Sequence, residues 1–277
     1  MTSRTVPRPT QRSPLRMALG SVYFTLRRWV QWSFSQTDWA RTIADPTTFG
    51  QVLFEHRTPL YRRLRNVDMW LQENKVTNLR IALRRLNGVV IKPGQTFSYW
   101  RLLGSPSARN GYLPGLALHN GQLRQEVAGG LCQLSNLIYW MALHSPLTVV
   151  ERWRHNYDVF PDADRKLPFG SGATCFYNYV DLQLKNETDQ PIGLHLYLTD
   201  QELVGELRSD QPAPYRYEVY EAAHEIRHEP WGGYTRHNLL RRRVYTPDGE
   251  QVDDQFVTEN HAIMMYEPLL PTPGTHA

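Results

Sequence analysis

Asn120-Gly121 sits between two stretches of strand character, Gly115–His119 and Gln122–Val127. This two-residue connection narrows the possible folds more than any other feature of the chain. Asn-Gly accepts the positive φ angles of a type I′ turn, whose twist matches that of paired antiparallel strands. Similar punctuation recurs. Lys92-Pro93-Gly94-Gln95 lies between Val89–Ile91 and Thr96–Trp100 and predicts a second hairpin. Lys185–Gln190 separates two alternating stretches, Thr174–Leu184 and Ile192–Leu198, and Glu202–Leu207 follows as a third strand. Beyond Tyr217 further strands are expected, the last pair joined through Pro247-Asp248-Gly249. Helical spacing appears from Asp68 to Leu86, closed by Asn87-Gly88, and again from Gln133 until just before Pro146. The expected fold class is α+β: a largely antiparallel sheet built from hairpins, with a Cys-bearing helix packed on it and helices in the N-terminal region.

The 277 residues suffice for one large domain or two smaller ones. Three segments are expected. Residues 1–45 form a basic arm, partly disordered or amphipathic, residues 46–210 an α+β core, and residues 211–277 a β-rich extension on that core. The net charge of +4 hides an asymmetry. Residues 1–42 hold seven arginines and one acid, Asp38, whereas the remainder carries 24 basic and 26 acidic groups. Thr2–Pro14 reads as disordered. Leu15–Phe34 mixes arginine with Trp, Tyr, Phe and Leu, which fits a helix packing its apolar stripe on the body or one lying on anionic lipid. No recognition motif accompanies the charge, so nucleic acid is not expected as a partner. No run of 18 uncharged apolar residues and no secretory signal pattern is visible. With two cysteines 43 positions apart, the expectation is free thiols in the cytoplasm, with possible peripheral contact at the inner face of the membrane.

Chemistry concentrates around Gly129-Gly130-Leu131-Cys132. A helix starting at Cys132 offers unpaired amides and a positive dipole end, both favouring thiolate. Gly129 and Gly130 permit a sharp turn and close approach of a substrate, and Gln133 supplies an amide donor for a developing oxyanion. His155, at the end of the strand expected over Thr148–Trp153, is the candidate base. Glu151 can orient it, and Arg152 can clamp a carboxylate. Against this stands a plainer reading, in which Cys132 is a small buried residue and the glycines serve packing. No metal-ligand spacing, phosphate-binding glycine loop or Gly-x-Ser-x-Gly elbow is present, so neither metal nor cofactor is expected. Asn186-Glu187-Thr188 is read as a turn.

The run NGVVIKPGQTFSYWRLLG, the Gly111-Tyr112 pair, the hairpin Leu116–Arg124, and the elements GGLCQLS (with Ser135) and ERWRH occur in one order over Leu79–Arg208. Together they resemble the VanW family, named for an accessory protein of vancomycin-resistance gene clusters. The NHAIMMYEP segment near the end is compatible with the same family. The resemblance implies a role in the cell envelope and glycopeptide resistance, with a peptidoglycan precursor as partner, but no defined reaction. Two readings follow. One is a thiol enzyme, similar to papain-like or transglutaminase-like enzymes, acting on an amide or ester of the precursor through Cys132, His155 and Gln133. The other is a non-catalytic binding protein in which Gly129, Gly130, Ser135, Glu151 and Arg152 form the site. Two positions depart from the family pattern: Ala128 stands where relatives have glycine, and Gly172 where many have Asp. Asp181 is the candidate replacement for that acid.

Overall fold

The computed structural model describes residue 6 and residues 13–61, 68–119, 121–159 and 166–268. Most of the expected tail and Asn120 of the hairpin turn lie outside the described residues. Four helices and fourteen strands are seen among those described, and every strand pair but one is antiparallel. The α+β expectation holds.

Helix α1 (Pro14–Phe34) starts at Ser13, whose hydroxyl accepts from the Arg16 amide. After β1 (Thr42–Ile43) and a 3₁₀ turn at Pro46–Thr48 comes β2 (Gln51–Pro59), a strand the sequence pattern does not announce. Helix α2 (Met69–Leu86) ends at Asn87, and Gly88 turns the chain with φ +82°. Next come β3 (Val89–Ile91), β4 (Thr96–Ser98) and the short helix α3 (Tyr99–Leu103). The hairpin β5 (Pro114–His119) and β6 (Gln122–Val127) has the expected register, His119 opposite Gln122.

Helix α4 (Cys132–Leu143) leads to β7 (Thr148–Glu151) and β8 (Tyr157–Asp158). Strands β9 (Gln183–Lys185), β10 (Ile192–Leu198) and β11 (Glu202–Ser209) follow. The chain closes with three long strands, β12 (Arg216–His228), β13 (Tyr234–Tyr245) and β14 (Gln251–Met264), the last two joined at Pro247-Asp248-Gly249 as expected.

The main sheet has the order β1-β3-β10-β11-β2. Helix α4 packs on it where Gly205 of β11 leaves room for Leu137 and Met141. Leu134, Leu137, Ile138 and Met141 are fully buried, each apolar side chain contributing roughly 1.5–3 kcal/mol. A second sheet, β12-β13-β14-β8, is built from the C-terminal strands, and β4-β9-β7 forms a third.

Two expectations fail. Val89–Ile91 and Thr96–Trp100 do not form a hairpin. The turn closes, with the Gln95 amide donating to the Lys92 carbonyl at 3.0 Å, yet β3 joins the main sheet and β4 pairs with β9. Both strands are buried along their whole length, so each takes a different layer as its partner. Thr174–Leu184 is not one strand either. Only its end enters β9, and the preceding stretch is irregular, with a lone bridge between Phe176 and Val180.

Candidate functional site

The corner that precedes Cys132 is built by close backbone approach. A Cβ at Gly129 would lie 2.2 Å from the Gly115 carbonyl carbon, and one at Gly115 would lie 2.5 Å from the Gly129 oxygen. Gly130 takes φ +93°, and a Cβ there would meet the Lys75 stem. Ala128 adopts φ +64°, a left-handed conformation that suits glycine better than alanine. The corner is held from outside. Asn78 of α2, fully buried, donates to the Leu113 and Gly129 carbonyls and accepts from the Leu113 amide at 2.8 Å. The Tyr99 hydroxyl donates to the Leu131 carbonyl at 3.1 Å. These clamping residues escaped the sequence reading, because a lone Asn inside a helical pattern carries no signal of what it faces.

Cys132 is the first residue of α4, as expected, but its environment is that of a packed thiol. The sulfur donates to the Cys175 carbonyl at 3.7 Å, and burial pushes the thiol up from its ordinary range. The Gln133 amide donates to Thr58 Oγ1 and the Pro59 carbonyl, both at 3.0 Å, and so is committed to β2. Ser135 donates to the Ala173 carbonyl at 2.7 Å. His155 lies beyond the end of β7 and makes no hydrogen bond to the Cys132 sulfur; burial lowers its basicity.

Glu151 and Arg152 are both engaged. Glu151 forms a bidentate pair with Arg28 of α1 and accepts from the Trp153 indole at 2.8 Å. Arg152 donates to the carbonyls of Gly170 and Gly172, reaches Asn260 Oδ1 at 3.2 Å, and stacks over Tyr139 with its guanidinium carbon 5.0 Å from the ring centre. It fastens the loop 170–172 to β14. Asp181 is fully buried, accepting from the Ser98 hydroxyl at 2.6 Å, the Trp100 amide and the Gln183 amide. That arrangement starts α3.

A more open site lies between the main sheet and the C-terminal strands. A cavity of about 470 Å³ is lined by Phe54, His144, Tyr215, Arg216, Tyr217 and Glu218 among others. His144 stacks on Phe54 with ring centres 4.4 Å apart and an angle of 13°, and its Nδ1 is within 3.0 Å of the Trp140 carbonyl. Burial lowers its basicity, so it is neutral at physiological pH. The exposed Arg216 guanidinium rests over Tyr245 at 4.2 Å, and among the described residues it has no carboxylate partner. Arg242 stacks over Tyr217 and donates to the Leu143 and Ser145 carbonyls, tying the end of α4 to this wall. The sequence signal for the site is the Tyr215-Arg216-Tyr217 run at the start of β12; the facing wall, from β2, was itself unread.

The profile of the family described as VanW like protein matches residues 74–208, which run from α2 to the end of β11. Over 259 residues the chain is 32% identical to the vancomycin B-type resistance protein VanW of Enterococcus faecalis, covering 94% of each. The chain belongs to the VanW family. A more distant member-like match is the uncharacterized protein YoaR of Bacillus subtilis, 27% identical over 115 residues, which are 42% of this chain and 36% of that one. No solved structure matches. The VanW relative aligns beyond residue 208, so the likeness takes in most of the C-terminal sheet and its wall of the cavity.

Proposed function

We propose that this VanW-family chain serves vancomycin resistance as a non-catalytic accessory protein that holds a peptidoglycan precursor, working in the cytoplasm. The observation that carries the reading is the cavity between β2, the end of α4 and the start of β12. It is aromatic on both sides, and Arg216 at its rim has no carboxylate partner among the described residues. Apolar walls with a few placed charges are what a small amphiphilic ligand needs, and a fixed guanidinium suits the carboxylate of a stem peptide. Thiol catalysis by Cys132, His155 and Gln133 is the competing reading. It has less support, since the thiol is spent on a backbone carbonyl and the Gln133 amide on β2.

The test is binding of a fluorescent muramyl stem peptide. Arg216→Glu should weaken it about tenfold or more, the worth of a charge-assisted hydrogen bond. Cys132→Ser should leave it unchanged. Unchanged affinity in Arg216→Glu would overturn the reading, and turnover of the peptide that Cys132→Ser abolishes would replace it with the thiol enzyme.

A further inference from the structure

Helix α1 docks the wrong way round for a helix packing its greasy side inward. The residues facing the body are Ser21, Thr25, Arg28 and Trp32, spaced by four, three and four. Only Arg28 and Trp32 are buried, and the contact is polar at its centre, through the Arg28–Glu151 pair. The apolar stripe lies on the outside. Leu15, Leu19, Val22, Leu26, Trp29 and Val30 follow helical spacing and are between 49% and 70% exposed. An apolar stripe this long on a folded protein marks an interaction surface.

Charge decides what covers it. Arg16 and Arg27 lie beside the stripe on the helical wheel, and no carboxylate occurs between Pro14 and Phe34. Arg4, Arg8 and Arg12 precede the helix, and the first acid in the chain is Asp38. A second copy of the helix laid on the first would set arginine against arginine with no acid to answer it. An anionic lipid surface answers both features at once. The helix is about 30 Å long, but no helix among the described residues is long and apolar enough to cross a membrane. A second observation lies at its C-terminal end. Trp29 and Trp32 line a cavity of about 250 Å³ together with Arg41 and Arg101, neither of which has a carboxylate partner among the described residues. The buried Trp32 indole N–H has no acceptor among the described residues.

We propose that α1 lies flat on an anionic phospholipid surface with its outward stripe in the headgroup–acyl boundary, and that the Arg41–Arg101 cavity takes a lipid phosphate. The body then hangs from the membrane through the Arg28–Glu151 pair. This stands independently of the ligand assigned to the cavity at β12.

The experiment is co-sedimentation of the full chain with phosphatidylcholine vesicles, with and without phosphatidylglycerol. The wild type should pellet with the anionic vesicles. Leu19→Glu/Leu26→Glu, at exposed positions that leave the docking face intact, should remove binding. Arg16→Glu/Arg27→Glu and Arg41→Glu should each cut the preference for anionic vesicles about tenfold. Equal pelleting of the wild type and Leu19→Glu/Leu26→Glu, or no pelleting of the wild type, overturns the proposal. So does a wild-type dimer in sedimentation velocity that Leu19→Glu/Leu26→Glu makes monomeric, which would assign the stripe to a second copy.

Discussion

Arg28 of α1 grips Glu151 at the end of β7 across 123 positions of sequence, Nη1 to Oε2 at 2.8 Å and Nη2 to Oε1 at 2.5 Å. Two side chains read separately from the sequence, one as arm charge and one as a candidate orienting acid, are thus one structural joint. The same arginine donates to the Tyr179 carbonyl, and the same carboxylate accepts from Trp153.

Cutting that joint should be costly. Arg28→Met leaves a largely buried carboxylate without its cation, and about 3 kcal/mol of stability should be lost. Arg28→Met/Glu151→Met should recover a substantial part, because both charges then go together. Urea unfolding of the three variants measures this, and protease should cut near α1 faster in the single variant.

Gly129→Ala is expected to destabilise by more than about 2 kcal/mol, since the added carbon would meet the Gly115 backbone and not a movable side chain. Gly94→Ala is the comparison: nothing lies within 4 Å of its position, so any cost there comes from its positive φ alone. Gly129 itself has no positive φ, so its loss is the steric cost, to be set beside the purely conformational cost at Gly94 in the unfolding midpoints.

How much of this was legible beforehand depended on whether a residue's partner was local. The hairpin β5–β6, helices α2 and α4, and the turn at Pro247-Asp248-Gly249 rest on near neighbours, and the sequence carries them openly. The Lys92–Gln95 turn looked the same but joins two layers, because buried strands such as β3 and β4 show no alternation to reveal which sheet they enter. Helix α1 shows its apolar stripe openly; that the stripe points outward follows from Arg28 docking on Glu151 and the Tyr179 carbonyl, which nothing local announces. Cys132 was found at the start of its helix, as read. That its sulfur meets the Cys175 carbonyl depends on the fold of the irregular 170–182 segment.

Asp181 gives a pH signature. Burial lifts its carboxyl from 3.8 to about 6 in the folded chain, outweighing its hydrogen bonds from Ser98, Trp100 and Gln183. A carboxyl whose folded pKa is raised favours folding when protonated. Its contribution is therefore present below about pH 4 and is lost as pH rises towards 6, by about 3 kcal/mol. Asp181→Asn should remove that slope. Subtracting its stability curve from the wild type's between pH 4 and 7 leaves the Asp181 contribution, and a flat difference would contradict the assignment.

The two thiols, Cys175 buried and Cys132 half-buried, should be slow. Burial raises both Cys132 and Cys175, so iodoacetamide should label the native chain at pH 8 more slowly than a free cysteine, with denaturant restoring the ordinary rate. Rapid native labelling at Cys132, located by mass spectrometry, would return it to the list of nucleophiles.

Vancomycin susceptibility puts the central claim to its most direct test, in cells whose resistance depends on this protein. A folded Cys132→Ser protein should support the same inhibitory concentration as the wild type, while Arg216→Glu should lower it. Loss of resistance with Cys132→Ser at normal protein levels, with Arg216→Glu unaffected, would contradict the binding account and restore the thiol as the working group.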